Sequence, residues 1–496
     1  MLPLRPLAAA LAAVLPALAQ AGEALTIYSS AAPGTLDART LAAAGGPVVP
    51  GYAVVREDRS FPLAAGRNML RVDDVPALID PTTVAFTSLT DPAGTRVVEQ
   101  GFEFDLAGSA QLLSRYLGRE IVVEQARGTG VEAITGTLLG TQGGLTLRAA
   151  DGSVRIVERY SGVKLPELPG GLVAKPALAW QIDARHAGVH RTRFSYQTGG
   201  MTWWADYNLA YSEPRPGGCR VDLNAWVTIV NQSGASFSDA RVKLVAGDVH
   251  RAAPRGHAVP EAPRMLAAEV KREGFHEKAF FEYHLYALGR TTSLAQNSTR
   301  QIELFPAATG VGCEKKLVYQ GQAASWAYGG APFIDRNYGV QSNRKVDIYL
   351  RLENSQSNGL GVPLPAGRAR VSRVDEADGA LEFIGEDILD HTPRGETVQL
   401  RLGSAFDVVG DRKQLDFRMD AAAHWMEEDI EVRVRNRKEH EAVAVVVREN
   451  LYRWSQWSIV KRSHAFTKED SRTIDFPVRI APDGEAVVRY TVRYTW

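Results

Sequence analysis

Hydrophobic and polar positions alternate most cleanly between Phe194 and Gly247. There Trp203, Ala205, Tyr207, Leu209 and Tyr211 share one parity, and Trp204, Asp206, Asn208 and Ala210 share the other. A period of two is that of an extended strand. Gly199 and Gly200 precede this run and predict a bend where the chain changes sheet. Pro214, Pro216, Gly217 and Gly218 predict a turn. A second strand follows, with Val221, Leu223, Ala225, Val227 and Ile229 on one face. It ends at Asn231-Gln232-Ser233-Gly234, and a third strand carries Val242, Leu244 and Ala246. Three such strands predict an antiparallel meander that buries one face beneath a second sheet.

The same period recurs along most of the chain, so the expected fold class is all-β. Residues 22–117 read as an N-terminal β-rich region with strands from Tyr52, Val84 and Thr95 and one helix over Ser109–Leu117. Residues 118–165 hold four brief strands between tight Gly and Asp-Gly turns, which predicts a small barrel of the SH3 or Sm type. Its Arg and Glu residues are balanced, so it is expected to be a spacer or docking module rather than an RNA binder. A Pro- and Gly-rich linker, Leu165–Pro176, leads into a central β-sandwich over 176–343. Within it, residues 251–278 are polar and broken by Pro254, Pro260 and Pro263, and are expected to form a mobile insertion. A C-terminal β-sandwich is expected over 344–496. Three alternating runs, VTIVNQSG, YLRLENSQSNG and VRVRNRKEHE, each end at an asparagine: Asn231, Asn354 and Asn436. Recurrent strand–Asn turn–strand units fit tandem immunoglobulin-like sandwiches.

The first 21 residues change the picture of where the protein works. Arg5, the apolar run Leu7–Ala19 and the small-residue pattern Ala19-Gln20-Ala21 predict a signal peptide, residues 1–21, cleaved after Ala21. The protein is therefore expected to be periplasmic or secreted. Its 57 basic and 57 acidic residues give a formal charge of zero, so nothing steers it towards nucleic acid. The two cysteines, Cys219 and Cys313, both lie in Gly-rich turns. Export permits a disulfide between them; the alternative is two free buried thiols.

The segments VPALIDPTTVAF, EQGFEFDL, LLSRYLG, LPGGL, KPALAW, SYQTGGMTWWADYNL, WVTIVNQSG, LVAGDVH and EYHLYAL resemble a bacterial secreted family described as domain of unknown function 4139. Its broader relatives include mucoidy-inhibitor-type proteins. The resemblance is strongest over 175–304. It implies a β-rich exported protein and brings no activity with it. Some relatives carry a long coiled coil near the N-terminus, for which this chain has no sustained heptads.

Catalytic and metal-binding patterns are sparse, and no cofactor or metal is expected. His186 and His190 have the spacing of a zinc pair, but Gly188 lies between them in strand-like sequence. His276-Glu277 and His440-Glu441 each begin a metalloprotease motif without its second histidine. Ser161–Lys164 and Ser458–Lys461 match Ser-x-x-Lys in strand or turn sequence, without companion motifs. Trp204, Asp206 and Trp226 fall on the polar parity of their strands, so they form a candidate exposed binding surface; the alternative is tryptophan packed against another sheet. Asp206, Asp222 and Asp248 could meet on that face as the carboxylates of an envelope-polymer hydrolase. Val488, Tyr490, Val492, Tyr494 and Trp496 alternate with Arg489, Thr491, Arg493 and Thr495, as in the last strand of an outer-membrane barrel or half-buried in a sandwich. The expectation is a non-catalytic binding or scaffolding protein of the bacterial cell envelope, whose partner is an envelope protein or polysaccharide. Membrane association is not favoured.

Overall fold

The computed structural model describes residues 22–29, 49–104, 109–127, 130–167, 175–214, 218–247, 249, 275–322, 331–337, 342–375 and 377–496. The expected signal peptide lies outside these residues. So do the middle of the 165–176 linker, residues 215–217 of the first turn, Asp248 and most of the 251–278 insertion.

The described chain is almost entirely β, with one short helix, Ser109–Arg115. Gly199 and Gly200 bend the chain as their position predicts. Gly188–Gly199 belongs to one sheet and Met201–Ser212 to another. Between them Gly200 adopts φ +72°, where a side chain would run into the Gln232 carbonyl. The first sheet has seven strands in the order Phe275–Phe280, Tyr283–Leu294, Phe237–Ala246, Ala24–Tyr28, Tyr52–Leu63, Gly188–Gly199 and Ile79–Ser88. A three-stranded sheet, Gly66–Val72, Ala177–Ala184 and Thr95–Glu103, contributes to the same core. Trp180 meets Phe194 edge to face there, with ring centres 5.4 Å apart.

The largest sheet runs from Leu381–Leu389 through Gly367–Val374, Met201–Ser212, Arg220–Asn231, Ser298–Tyr319, Lys345–Glu353, Thr397–Asp420, Trp425–Asn436 and Glu485–Thr495 to Trp457–Arg462. Two of its strands are very long, 22 residues in Ser298–Tyr319 and 24 in Thr397–Asp420. Each begins in the first core and ends in a second, C-terminal one that closes on Val443–Asn450 and Thr473–Ile480. The expected boundary at 343/344 is therefore corrected. Leu350, Leu352, Val371, Val398 and Leu400 pack with Tyr207 and Leu209 in one cluster. The N-terminal strands share that core too, because Ala24–Tyr28 pairs with both Tyr52–Leu63 and Phe237–Ala246.

Two further expectations are corrected, and one open alternative is decided. The expected SH3/Sm-type barrel does not close. Its five strands run Gly162–Lys164, Glu120–Arg127, Gly130–Gly140, Leu145–Arg148 and Val154–Val157, and no pairing joins the first to the last. Gly162–Lys164, the last of the five in the chain, folds back to pair with Glu120–Arg127, the first in the chain, and the sheet stays open. This unit has its own small core and interrupts the chain between Thr95–Glu103 and Ala177–Ala184, which are neighbours in the three-stranded sheet. The second correction concerns the insertion: Phe275–Lys278, assigned to it from composition, lies in an edge strand. That strand turns at Phe281, whose φ is +58°, into its partner Tyr283–Leu294. In the last strand the apolar residues face inward, as the sandwich alternative expected. Val488, Tyr490, Val492 and Tyr494 are buried in the C-terminal core, and the alternate residues Arg489 and Arg493 pair with Glu431 and Glu427 on the outside. This is the half-buried sandwich strand and not a lipid-facing one, which removes the observation that motivated the barrel. Among the described residues no helix is long and apolar enough to cross a membrane.

The asparagine echo takes the same physical form three times. Asn231, Asn354 and Asn436 are each buried at the end of a strand. The Asn231 amide donates to the carbonyls of Ala235 (2.8 Å), Leu294 (3.1 Å) and Ala295 (3.2 Å). The Asn354 amide donates to Val362 (2.8 Å) and Pro393 (2.9 Å). The Asn436 amide donates to Glu441 (2.7 Å) and Ala481 (3.0 Å). Each side-chain oxygen accepts a backbone N–H of its own turn, from Ser233, Gly361 and Lys438 respectively. One side chain thus ties its own turn to a neighbouring loop at three places in the fold.

Candidate functional site

Cys219 and Cys313 form a disulfide with Cα atoms 4.9 Å apart, across a sequence separation of 94. It joins the start of Arg220–Asn231 to the middle of Ser298–Tyr319, which are already paired strands. By shortening the unfolded chain it stabilises the ladder that carries the face described next.

That face is the outer side of the largest sheet. Trp203 and its parity neighbours fill the core, so Trp204, Asp206 and Asn208 point outward. On Arg220–Asn231, Trp226 stands directly opposite Asp206, and Asn224 opposite Asn208. Trp226 is 38 % exposed while Asp206 is only 7 % exposed. Asp206 is held on both oxygens. Oδ2 accepts the Trp204 indole N–H (2.9 Å) and the Thr228 hydroxyl (2.7 Å); Oδ1 lies 3.3 Å from the Arg370 guanidinium. Gln301 donates to Thr228 Oγ1 at 3.2 Å, and Arg370 also faces Glu386 at 3.6 Å. Three strands therefore meet at one carboxylate, whose task is to fix the Trp204 ring and the guanidinium. Asn208 and Asn224 are exposed beside Trp226, and Glu303 is its partner on the next strand. The result is a sheet face with an accessible indole, opposed amides and more carboxylates than guanidinium groups.

Asp222 does not join Asp206. Asp222 lies four residues beyond Trp226 on the same strand, about 13 Å away at roughly 3.3 Å per residue. It accepts the backbone N–H of Gly310 at 2.7 Å. Paired carboxylates that cleave glycosides stand about 5–9.5 Å apart. The hydrolase reading through Asp206 and Asp222 is thereby corrected, and Asp248 lies outside the described residues.

His186 and His190 do not face one point. His190 Nε2 is 3.0 Å from the His186 carbonyl oxygen, while His186 Nδ1 pairs with Asp91 at 2.9 Å. His190 therefore donates from Nε2 and accepts at Nδ1 from the Ser88 hydroxyl, 3.2 Å away. Ser88 and His190 are both buried, so this serine–histidine contact is part of the core and closed to substrate. Among the described residues no group of three or more His, Cys, Asp or Glu could hold a metal ion.

Two ionisable clusters escaped sequence reasoning. In the C-terminal core Arg412 pairs with Glu449 at 2.8 Å, both buried, and Tyr490 donates its hydroxyl to the same carboxylate. Burial and then Glu449 push the Tyr490 phenol well above its ordinary range. Burial opposes the charge on Arg412, and Glu449 more than restores it. Beside them Arg453 pairs with Glu428 at 2.8 Å, lies over the Phe417 ring and donates to the carbonyls of Phe333 and Asp335. Parity is the signal that could have revealed this group, because Glu428 sits between the buried Met426 and Ile430. The second cluster, Glu23, Glu57, Arg59 and Tyr196, lies at the start of the first strand. Glu57 is buried; it accepts from the Tyr196 hydroxyl at 2.6 Å and from Arg59 Nε at 2.8 Å.

No protein-family description, curated protein or solved structure matches this chain.

Proposed function

We propose that this chain is an exported, non-catalytic binding or scaffolding protein of the bacterial cell envelope, belonging to the domain of unknown function 4139 family, and that the Trp226 platform binds a polysaccharide. The single observation that carries this reading is an accessible indole beside two opposed amides on a rigid sheet. Aromatic faces stack on the apolar faces of sugar rings, and amides meet their hydroxyls. Asp206 is engaged on both oxygens, which suits a positioning group better than an acid or base. Asp206, Glu303 and Glu386 outnumber Arg370 on this face, which disfavours an anionic polymer, and stacking on the Trp226 ring needs no charge, which suits a neutral one. Location in the periplasm or outside the cell follows from the expected signal peptide.

The test uses the mature protein and immobilised neutral envelope polysaccharides. Trp226→Ala is expected to weaken retention about 30-fold, as loss of a central anchor worth about 2 kcal/mol would. Its unfolding midpoint should stay within about 0.5 kcal/mol of wild type, since the ring is a surface group. Equal retention of the two proteins would remove the platform as the ligand surface.

A further inference from the structure

The five-residue strand Ala24–Tyr28 occupies an unusual place. It is the first of the described strands, yet it lies fourth in the seven-stranded sheet. It runs parallel to Phe237–Ala246 on one side and antiparallel to Tyr52–Leu63 on the other. Among the described pairings it is the only ladder joining the two three-stranded halves of that sheet. Leu25 and Ile27 are buried beneath it, and Tyr28 stacks on Tyr52 with ring centres 4.6 Å apart. A strand this short holds few backbone hydrogen bonds, so one unfavourable charge at its end is a large fraction of its local stability.

Such a charge is built in. Ala24 pairs with Arg56, so the ladder sets Glu23 beside Glu57, and both carboxyl groups lie on the core-facing side. Glu57 takes the Tyr196 hydroxyl and the nearer Arg59 contacts, whereas Glu23 Oε2 is buried with no hydrogen-bond partner. The groups facing Glu23 are Glu57 and Arg59 on Tyr52–Leu63, Asp74 beyond Gly66–Val72, Tyr196 on Gly188–Gly199, and the Ser238 backbone on Phe237–Ala246. Arg59 favours an ionised Glu23, but it contacts Glu57 and Asp74, the latter at 2.6 Å, and makes no hydrogen bond to Glu23 Oε2.

We propose that Ala24–Tyr28 is a pH-sensitive clip: it locks the two halves of the sheet together when Glu23 is neutral and loosens when Glu23 and Glu57 are both ionised. Burial, and then the neighbouring Glu57 charge, raise Glu23 to about 7, which places the change within the range an exported protein meets. A carboxyl raised in the folded state binds its proton more tightly there than in the unfolded chain. Its contribution is therefore complete below the ordinary carboxylate range, near 4.5, and is lost as pH rises through about 7. Loosening bares the edges of Tyr52–Leu63 and Phe237–Ala246, which can then accept another extended segment.

Hydrogen–deuterium exchange on the full mature chain tests this, read as protection factors so that the intrinsic rate change with pH cancels. Protection of the Leu25–Tyr28 amides should fall about tenfold or more from pH 5 to pH 8. Strand Val443–Asn450, in the other core, should show no such fall. Glu23→Gln keeps the size and removes the charge, so its protection should be the same at both pH values. Wild-type protection that does not change with pH, or a Glu23→Gln protein that keeps the wild-type change, would overturn the proposal.

Discussion

Arg412→Met is expected to destabilise the C-terminal sandwich by about 3–5 kcal/mol. The guanidinium and Glu449 are both almost fully buried, 2.8 Å apart. Removing the cation leaves the carboxylate in an apolar core with the Tyr490 hydroxyl and no balancing charge. That is a desolvation cost, not the loss of an attractive contact, so the double replacement should behave differently. Arg412→Met with Glu449→Leu removes both charges and keeps the volume. It should recover most of the stability lost by the single change, because buried ion pairs replaced whole by apolar groups are often neutral. Denaturant midpoints for the transition of this sandwich measure both values. A single variant within about 1 kcal/mol of wild type would mean that water reaches Glu449.

The second large effect belongs to the asparagine turns. Asn231→Ala should cost about 3–4 kcal/mol, because several buried backbone groups lose their partner at once. The carbonyls of Ala235, Leu294 and Ala295 lose a donor, and the Ser233 N–H and hydroxyl lose an acceptor. Asn231→Asp is nearly isosteric and should be no better tolerated. It keeps the acceptor, removes both amide donors and points a charge at three carbonyls. The equivalent changes at Asn354 and Asn436 should act in the same direction, measured by thermal unfolding. A mild effect of Asn231→Asp would show that the turn is held by its backbone alone.

The residues that were legible beforehand are those whose environment is set locally. The parity of Met201–Ser212 and Arg220–Asn231 separates core from surface with period two, and the register then places Trp226 opposite Asp206. Gly199-Gly200 marked the change of sheet because only glycine takes φ +72° there without collision. The three asparagines were visible as strand ends, although their cross-loop bonds were not. What was hidden depends on pairings far apart in the chain. Ala24–Tyr28 reaches Phe237–Ala246 across more than two hundred residues, and nothing in five residues of alternating sequence encodes that partner. The 343/344 boundary failed for a related reason. Ser298–Tyr319 and Thr397–Asp420 are single strands that serve two cores, so no linker marks the division. The charged group around Arg412 and Glu428 was missed because charge on a β strand reads as an outer face, and here mutual pairing allows it inside.

Ligand is expected to meet the protein on the Trp226 face. The most direct measurement is an exchange footprint of the mature chain with and without a neutral envelope polysaccharide. Added protection is expected on Met201–Ser212, Arg220–Asn231 and the 298–305 part of the neighbouring strand, with none on Glu485–Thr495. Protection confined to other strands, or absent at saturating polysaccharide, would contradict it.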